Sequence, residues 1–201
     1  MKSRRRTQAE RRAATRAAVV ESACRLFGRK GFADASLEEI AVEAGVTIRP
    51  IYHYFGSKLE LFEAVNEVME ERIVDSLQAS DSSAMNAWRR YLALCEDPEF
   101  LRIVLIDGPS VLGRERWATS AVTRTVAARF GSGAPRTALE EHKLPDLAAR
   151  MLTGALTEAA LAVAESDDPT RTGREAEALV TALVSALAPR ALTGSSKEKR
   201  S

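Results

Sequence analysis

The sequence predicts an all-α protein of about nine helices, arranged as a small three-helix N-terminal part and a larger helical C-terminal part. Apolar residues recur at three- and four-residue spacing almost throughout. No run alternates with the period of two that a half-buried strand needs. Helix starts are also spelled out, at Ser36 with Glu39 and Ser57 with Glu60, by Ser with Glu three positions on, the signature of a capping box.

The first helix is expected from about Thr7 to Arg29, with Val19, Val20, Ala23, Leu26 and Phe27 on one face and arginines on the other, closed by Gly31. Ser36 then serves as an N-cap, Glu39 completes its capping box, and Leu37, Ile40, Ala41 and Ala44 form the buried stripe. Gly45 turns the chain. Thr47 opens a second short helix from Ile48 to about Tyr54, and Ser57 with Glu60 starts a long one from Lys58 to about Leu77.

After a break at Ser80 to Ser83, helices are expected from Ala84 to about Glu96 and from Asp97 and Pro98 to a stop near Gly108 and Pro109. Gly113 precedes an arginine-rich helix from Arg114 to about Phe130. The GSGAP run at 131–135 reads as the most flexible internal segment. Pro145 and Asp146 open an apolar helix reaching Glu165, and DDPT at 167–170 separates it from a last helix over about Thr172 to Leu187. The tail TGSSKEKRS is expected to be disordered, giving divisions of 1–56, 57–190 and 191–201.

At 201 residues, 45% hydrophobic and 28% charged, the chain has ordinary soluble globular composition, which excludes a disulfide scaffold and a disordered chain. Cys24 and Cys95 sit far apart among apolar neighbours and are expected to be reduced thiols. The basic start lacks a following apolar stretch and no segment approaches a membrane span, so a cytoplasmic protein without membrane contact is expected. The net charge of +1 is unevenly divided. Residues 1–60 carry 12 Lys or Arg against 7 Asp or Glu, and residues 61–201 carry 17 against 21. A basic end joined to an acidic body suggests a polyanion-binding module, the alternative being a solvated basic tail.

The short helices at 37–44 and 48–54, joined around Gly45 and Val46, have the dimensions of a helix-turn-helix, whose second helix enters the DNA major groove. A structural hairpin is the alternative. The stretch VVESACRLFGRKGFADASLEEIAVEAGVTIRPIYHYFGSKLEL, from Val19 to Leu61, resembles the DNA-binding domain of the TetR family of bacterial transcriptional repressors in its apolar spacing, its A-G-V turn and its Y-x-Y-F-x-S-K ending. WRRYLALCEDPEFLRIVLIDGPSVLGRERW and LTGALTEAALAVAESDDP resemble the ligand-binding and dimerisation half of such regulators.

Physical roles can be set beside the resemblance. Thr47, at a helix N-terminus, suits a phosphate, and Tyr52, Tyr54 and Lys58 can reach the DNA backbone. Arg49 and His53 project from the expected recognition helix, and Arg49 is the residue best suited to read guanine. Ser36, Ile48 and Pro50 complete the DNA-facing set, and the arm Lys2, Arg4, Arg5 and Arg6 can reach a minor groove or phosphates. Tyr52 and Phe55 have a core reading as well, and His53 a solvated one. Family members often carry a small residue where Arg49 stands, and Pro50 replaces a common Thr or Ala, so site preference does not transfer. Pro50 falls in the first helical turn, where it is tolerated.

The resemblance implies a two-fold dimer through the last two long helices, by way of Leu152, Ala155, Leu156, Ala159, Ala160 and Ala162 in one and Ala178, Leu179, Ala182, Leu183 and Ala186 in the other. Periodicity alone equally fits an intrachain core. Pocket candidates are Phe62, Asn66, Met69, Trp88, Tyr91, Leu92, Cys95, Ile106, Trp117, Met151 and Glu158, whose apolar bulk and few polar groups suit a small aromatic or lipophilic effector. Each also has a core reading. The expected partners are operator duplex DNA, a second copy of the chain and that effector.

Enzyme readings fare poorly. His53 and His142 are the only imidazoles, no Gly-x-Ser-x-Gly elbow or phosphate loop is present, and EEHK at 140–143 lacks a second histidine at metal-site spacing. No catalytic, metal or cofactor site is expected. A helical protein-binding adaptor, or a small-molecule binding protein without DNA regulation, is the remaining alternative.

Overall fold

The computed structural model describes residues 7–78, 83–131 and 144–187, and within these every regular element is helical. The basic arm with Arg4, Arg5 and Arg6, positions 132–135 of the GSGAP run, His142 and the expected tail at 191–201 lie outside the described residues, as do the side chains of Trp117 and Ala186.

Helix α1 (Gln8–Lys30) begins where Thr7 and Glu10 form a reciprocal capping box, Thr7 Oγ1 accepting the Glu10 N–H at 3.2 Å and Glu10 Oε2 accepting the Thr7 N–H at 2.7 Å. It ends at Gly31, whose φ of +83° lies in the region that favours glycine. Ser36 and Glu39 repeat the device at α2 (Leu37–Glu43). Gly45, at φ +67°, makes the turn into α3 (Ile48–Phe55). Ser57 Oγ accepts the Glu60 N–H at 3.1 Å to start α4 (Lys58–Gln78).

The body continues with α5 (Ala84–Cys95) and α6 (Pro98–Leu101). The helix does not stop at Gly108 and Pro109 as the sequence suggests. It widens into a π-helical segment (Arg102–Asp107), in which the Gly108 N–H donates five residues back to the Ile103 carbonyl, and resumes as α7 (Gly108–Val111). A proline inside a regular α-helix would lose its hydrogen bond and press on the carbonyl of Leu105, four residues earlier. The wide turn absorbs that conflict.

The expected arginine-rich helix is divided into α8 (Gly113–Ala118) and α9 (Ala121–Gly131). Between them Ser120 Oγ accepts the Thr123 N–H at 3.1 Å, restarting the helix. Helices α10 (Leu144–Ala164) and α11 (Pro169–Leu187) complete the chain. The last starts three residues earlier than expected, because Asp168 Oδ1 accepts the Arg171 N–H at 3.0 Å and Pro169 occupies the first helical position, where its missing N–H costs nothing.

One apolar cluster runs from the N-terminal helices into the body. Val19, Ala23 and Phe27 of α1 meet Ile40 of α2, Ile51 and Phe55 of α3, and Leu61, Phe62 and Val65 of α4. Phe27, Phe32 and Phe62 pack ring against ring with centroids 5.1–5.9 Å apart. Burying a side chain of this size contributes about 1.5–3 kcal/mol, so the three-helix head is anchored to α4 by packing as well as by the chain. Helix α1 also rests on α6, and Gly28 lets the two backbones approach: a Cβ there would stand 2.8 Å from the Glu99 Cα.

Candidate nucleic-acid interface and ligand site

The second helix of the head is two-sided. Ile51 and Phe55 of α3 are buried, which fixes the helix on the core. Arg49 and His53 point outward, and Tyr52 is 52% exposed. Arg49 makes no ion pair among the described residues, leaving its guanidinium fork available. Thr47 has the extended backbone of an N-cap but makes no side-chain capping bond, so its hydroxyl and the first amides of α3 stand together at the positive end of the helix. Pro50 falls within that first turn, as the sequence suggests.

The other head residues are more committed. Ile48 and Tyr54 pack partly against the core, with Tyr54 edge-on to Phe55. Ser36 is engaged in its capping box. Lys58 Nζ donates to the Ala33 carbonyl at 3.1 Å and lies 4.7 Å from the Phe32 ring centre, which ties the start of α4 to the loop between α1 and α2. An ammonium has three donors, so this placement still leaves N–H groups for a phosphate.

Some stabilising residues carried no individual sequence signal. Glu43 bridges Arg25 at 2.6 Å and Arg29 at 2.8 Å, bracing α2 against α1, and these guanidiniums hold its carboxyl below the usual range. Such pairs join residues 14 and 18 positions apart, beyond any helical spacing rule.

The body places many of the pocket candidates in one interior. Phe62, Asn66 and Met69 of α4 and Trp88, Tyr91 and Cys95 of α5 are all buried, and Leu92 is half-buried. Burial pushes the Cys95 thiol up to about 12 and raises the Tyr91 phenol further above its ordinary value. Ile106, Met151 and Glu158 are not brought into this interior and lie at the surface of the chain. Among the described residues two buried polar atoms lack hydrogen-bond partners, Asn66 Oδ1 and Trp88 Nε1. Glu70, missed in the sequence, is buried beside Asn66.

The residues assigned to dimerisation divide between two environments. Leu152 and Ala160 are buried within the chain, with Leu156, Ala159 and Leu183 partly so. Ala155, Ala162, Ala178 and Ala182 are exposed, and so is Leu179 at 71%. Met151, on α10, is 67% exposed. No group of His, Cys, Asp and Glu suited to a metal occurs among the described residues, and no helix there is long and apolar enough to cross a membrane.

An all-helical chain whose head carries this two-sided recognition helix has the build of a helix-turn-helix regulator. Residues 19–65 match the family of bacterial regulatory proteins named for tetR, and residues 82–187 match the tetracyclin repressor-like C-terminal domain. The chain belongs to the TetR family. It is similar to the HTH-type transcriptional regulator TtgR of Pseudomonas putida, 40% identical over 68 residues that make up 34% of this chain and 32% of that protein. It is also similar to the HTH-type transcriptional repressor SCO4008 of Streptomyces coelicolor, 33% identical over 99 residues, 47% of this chain and 50% of that one. The chain thus aligns with a third to a half of these curated relatives' lengths. The crystal structure of a TetR-family regulator from Pectobacterium atrosepticum superposes with a TM-score of 0.63 at 26% identity, covering 92% of this chain and all of that one.

Proposed function

We propose that the protein is a homodimeric transcriptional repressor that binds a palindromic DNA operator and leaves it when a small lipophilic effector binds its body. The observation that carries this reading is the face of α3, where Arg49, Tyr52 and His53 stand exposed beside an uncapped Thr47 while Ile51 and Phe55 hold the helix rigidly from behind. Arg49 reads a base edge, Thr47 and the first amides of α3 hold a phosphate, and Tyr52, Tyr54 and Lys58 position the head on the backbone. The basic arm adds a salt-sensitive contribution. The name of SCO4008 as a repressor supports the direction of control.

A single head spans too few bases for a long site, and exposed Met151 and Leu179 with the alanine faces of α10 and α11 offer the surface on which a second copy packs. The buried set on α4 and α5 receives the effector. Release follows by linkage, since a ligand that binds best when the two heads no longer match successive major grooves weakens DNA binding by the same factor. Fluorescence anisotropy with duplexes from upstream of the coding region, run with scrambled competitor and a salt series, tests the reading. Saturable binding of two protomers per palindrome, surviving competitor, is expected. Weak, sequence-blind binding that vanishes with salt would return the helical adaptor as the better description.

A further inference from the structure

Asn66, Glu70 and Arg116 form a polar knot that the protein does not itself satisfy. Asn66 is 2% exposed, and its Nδ2 donates to Glu70 Oε1 at 2.8 Å. Its Oδ1 accepts nothing. What faces that oxygen is Gly108 in the resumed helix, where an added Cβ would stand 3.1 Å away. Turning the amide over offers no relief, because Oδ1 would then confront the Glu70 carboxylate.

Charge is unbalanced in the same direction. Glu70 is also 2% exposed, and burial raises its carboxyl above the ordinary value against the pull of Arg116. Arg116 Nη1 is 3.8 Å from Glu70 Oε1, but the same guanidinium lies 3.4 Å from Glu63 and 3.2 Å from Glu67. Among the described residues Arg116 is thus shared by three carboxylates of α4, of which Glu63 and Glu67 stand 43% and 60% exposed, while buried Glu70 also accepts the Ala121 backbone N–H. The unpartnered group is an acceptor, and the buried carboxylate beside it has its nearest cation 3.8 Å away, so a cationic donor would serve both.

We infer that the effector is a lipophilic amine whose protonated nitrogen donates to Asn66 Oδ1 and pairs with Glu70, while its apolar part lies along Phe62 and Met69 on the same face of α4. This rests on the reading of the α4–α5 interior as the effector site. A neutral alcohol meets the need of Asn66 alone, and a carboxylate is repelled. A quaternary ammonium carries charge but no N–H, so it engages Glu70 alone.

The test uses the full chain and four probes of one shape: phenylbutylamine, phenylbutanol, phenylbutyrate and the trimethylammonium analogue of the amine. Calorimetry reads binding without DNA, and anisotropy of an operator duplex reads release. The amine is expected to bind at least about tenfold more tightly than the alcohol, with the butyrate weakest, since hydrogen bonds to charged groups are worth that factor or more. Glu70→Gln keeps an acceptor for Asn66 and is expected to bring amine and alcohol within about threefold of each other. Asn66→Leu is expected to weaken amine and alcohol alike while leaving the trimethylammonium probe unchanged. Equal binding of amine and alcohol, an undiminished preference in Glu70→Gln, or binding of none of the probes would overturn the inference. Release of the operator by the alcohol alone would overturn the amine while sparing the repressor reading. Failure of the unliganded protein to bind any operator would overturn that reading instead, with calorimetry still deciding the amine.

Discussion

Asp107 Oδ2 accepts the backbone N–H of Phe32 at 2.7 Å, joining residues 75 positions apart. The bond ties the loop after α1 to the end of the π-helical segment, one residue before the Gly108 that faces Asn66. Removing the acceptor leaves a part-buried N–H unsatisfied, and Asp107→Ala is expected to cost about 1–3 kcal/mol in urea unfolding. Because the bond joins head to body, the variant should also lose part of the proposed effector's power to release DNA while still binding both DNA and effector. Unchanged stability together with unchanged release would show that Phe32 is held by its ring packing alone.

Arg49 and Lys58 should fail in different ways. Arg49→Ala is expected to relax discrimination at one base position of each half-site, at about 1–3 kcal/mol there. Lys58→Ala should weaken binding to all duplexes alike and lower the salt slope by about one. Binding curves across single-base operator variants, repeated over a salt series, separate the two. A uniform loss on Arg49→Ala would make it a phosphate contact.

Gly28→Ala adds a methyl group where α1 crosses α6, 2.8 Å from the Glu99 Cα. Backbone cannot yield as a side-chain tip does, so a loss of about 1–3 kcal/mol is expected in chemical denaturation. A neutral result would mean that the two helices part more easily than their packing suggests.

Both cysteines should be poor nucleophiles. Burial is the main cause lifting Cys24 to about 11 and Cys95 to about 12, and the thiolate is the reactive form. At pH 8 the thiolate fraction is then about one in a thousand for Cys24 and about one in ten thousand for Cys95. Iodoacetamide at that pH should leave the native chain unlabelled in the time it fully labels denatured chain, with reactivity climbing about tenfold per pH unit. Rapid labelling of Cys95 in native protein at pH 8 would show that the α4–α5 interior opens readily.

Leu179→Arg places a charge on the exposed apolar face of α11 and is expected to convert the proposed dimer to monomer in sedimentation, with loss of tight operator binding. A variant that stays dimeric would put the two-fold contact elsewhere.

The head was largely legible in the sequence because its boundaries are set by neighbours in the chain: Ser36 with Glu39, Gly45, and Ser57 with Glu60 act within a turn of where they stand. The body was less so. An alanine-rich stripe looks the same whether it packs inside the chain, as Leu152 and Ala160 do, or stands exposed, as Ala155 and Ala178 do. Ile106 was expected to line the pocket for its apolar bulk, yet at the wide turn it stands 45% exposed. Glu70 and Asp107 look like ordinary solvated acids until distant partners, Arg116 for one and Phe32 for the other, come into reach.

The wide turn at Arg102–Asp107 also sets an azimuth. Each residue of an α-helix advances the chain by about 100° around its axis, so an extra residue taken up in a single turn swings everything beyond it by nearly a third of a revolution. Delete one residue there and the turn would tighten against Pro109, while the side chain now at Asp107 would face away from the loop after α1. The Asp107–Phe32 tie between head and body thus depends on an irregularity in the backbone, and a straighter, more regular helix would leave the two halves joined by packing, by the chain and by Lys58 on the Ala33 carbonyl.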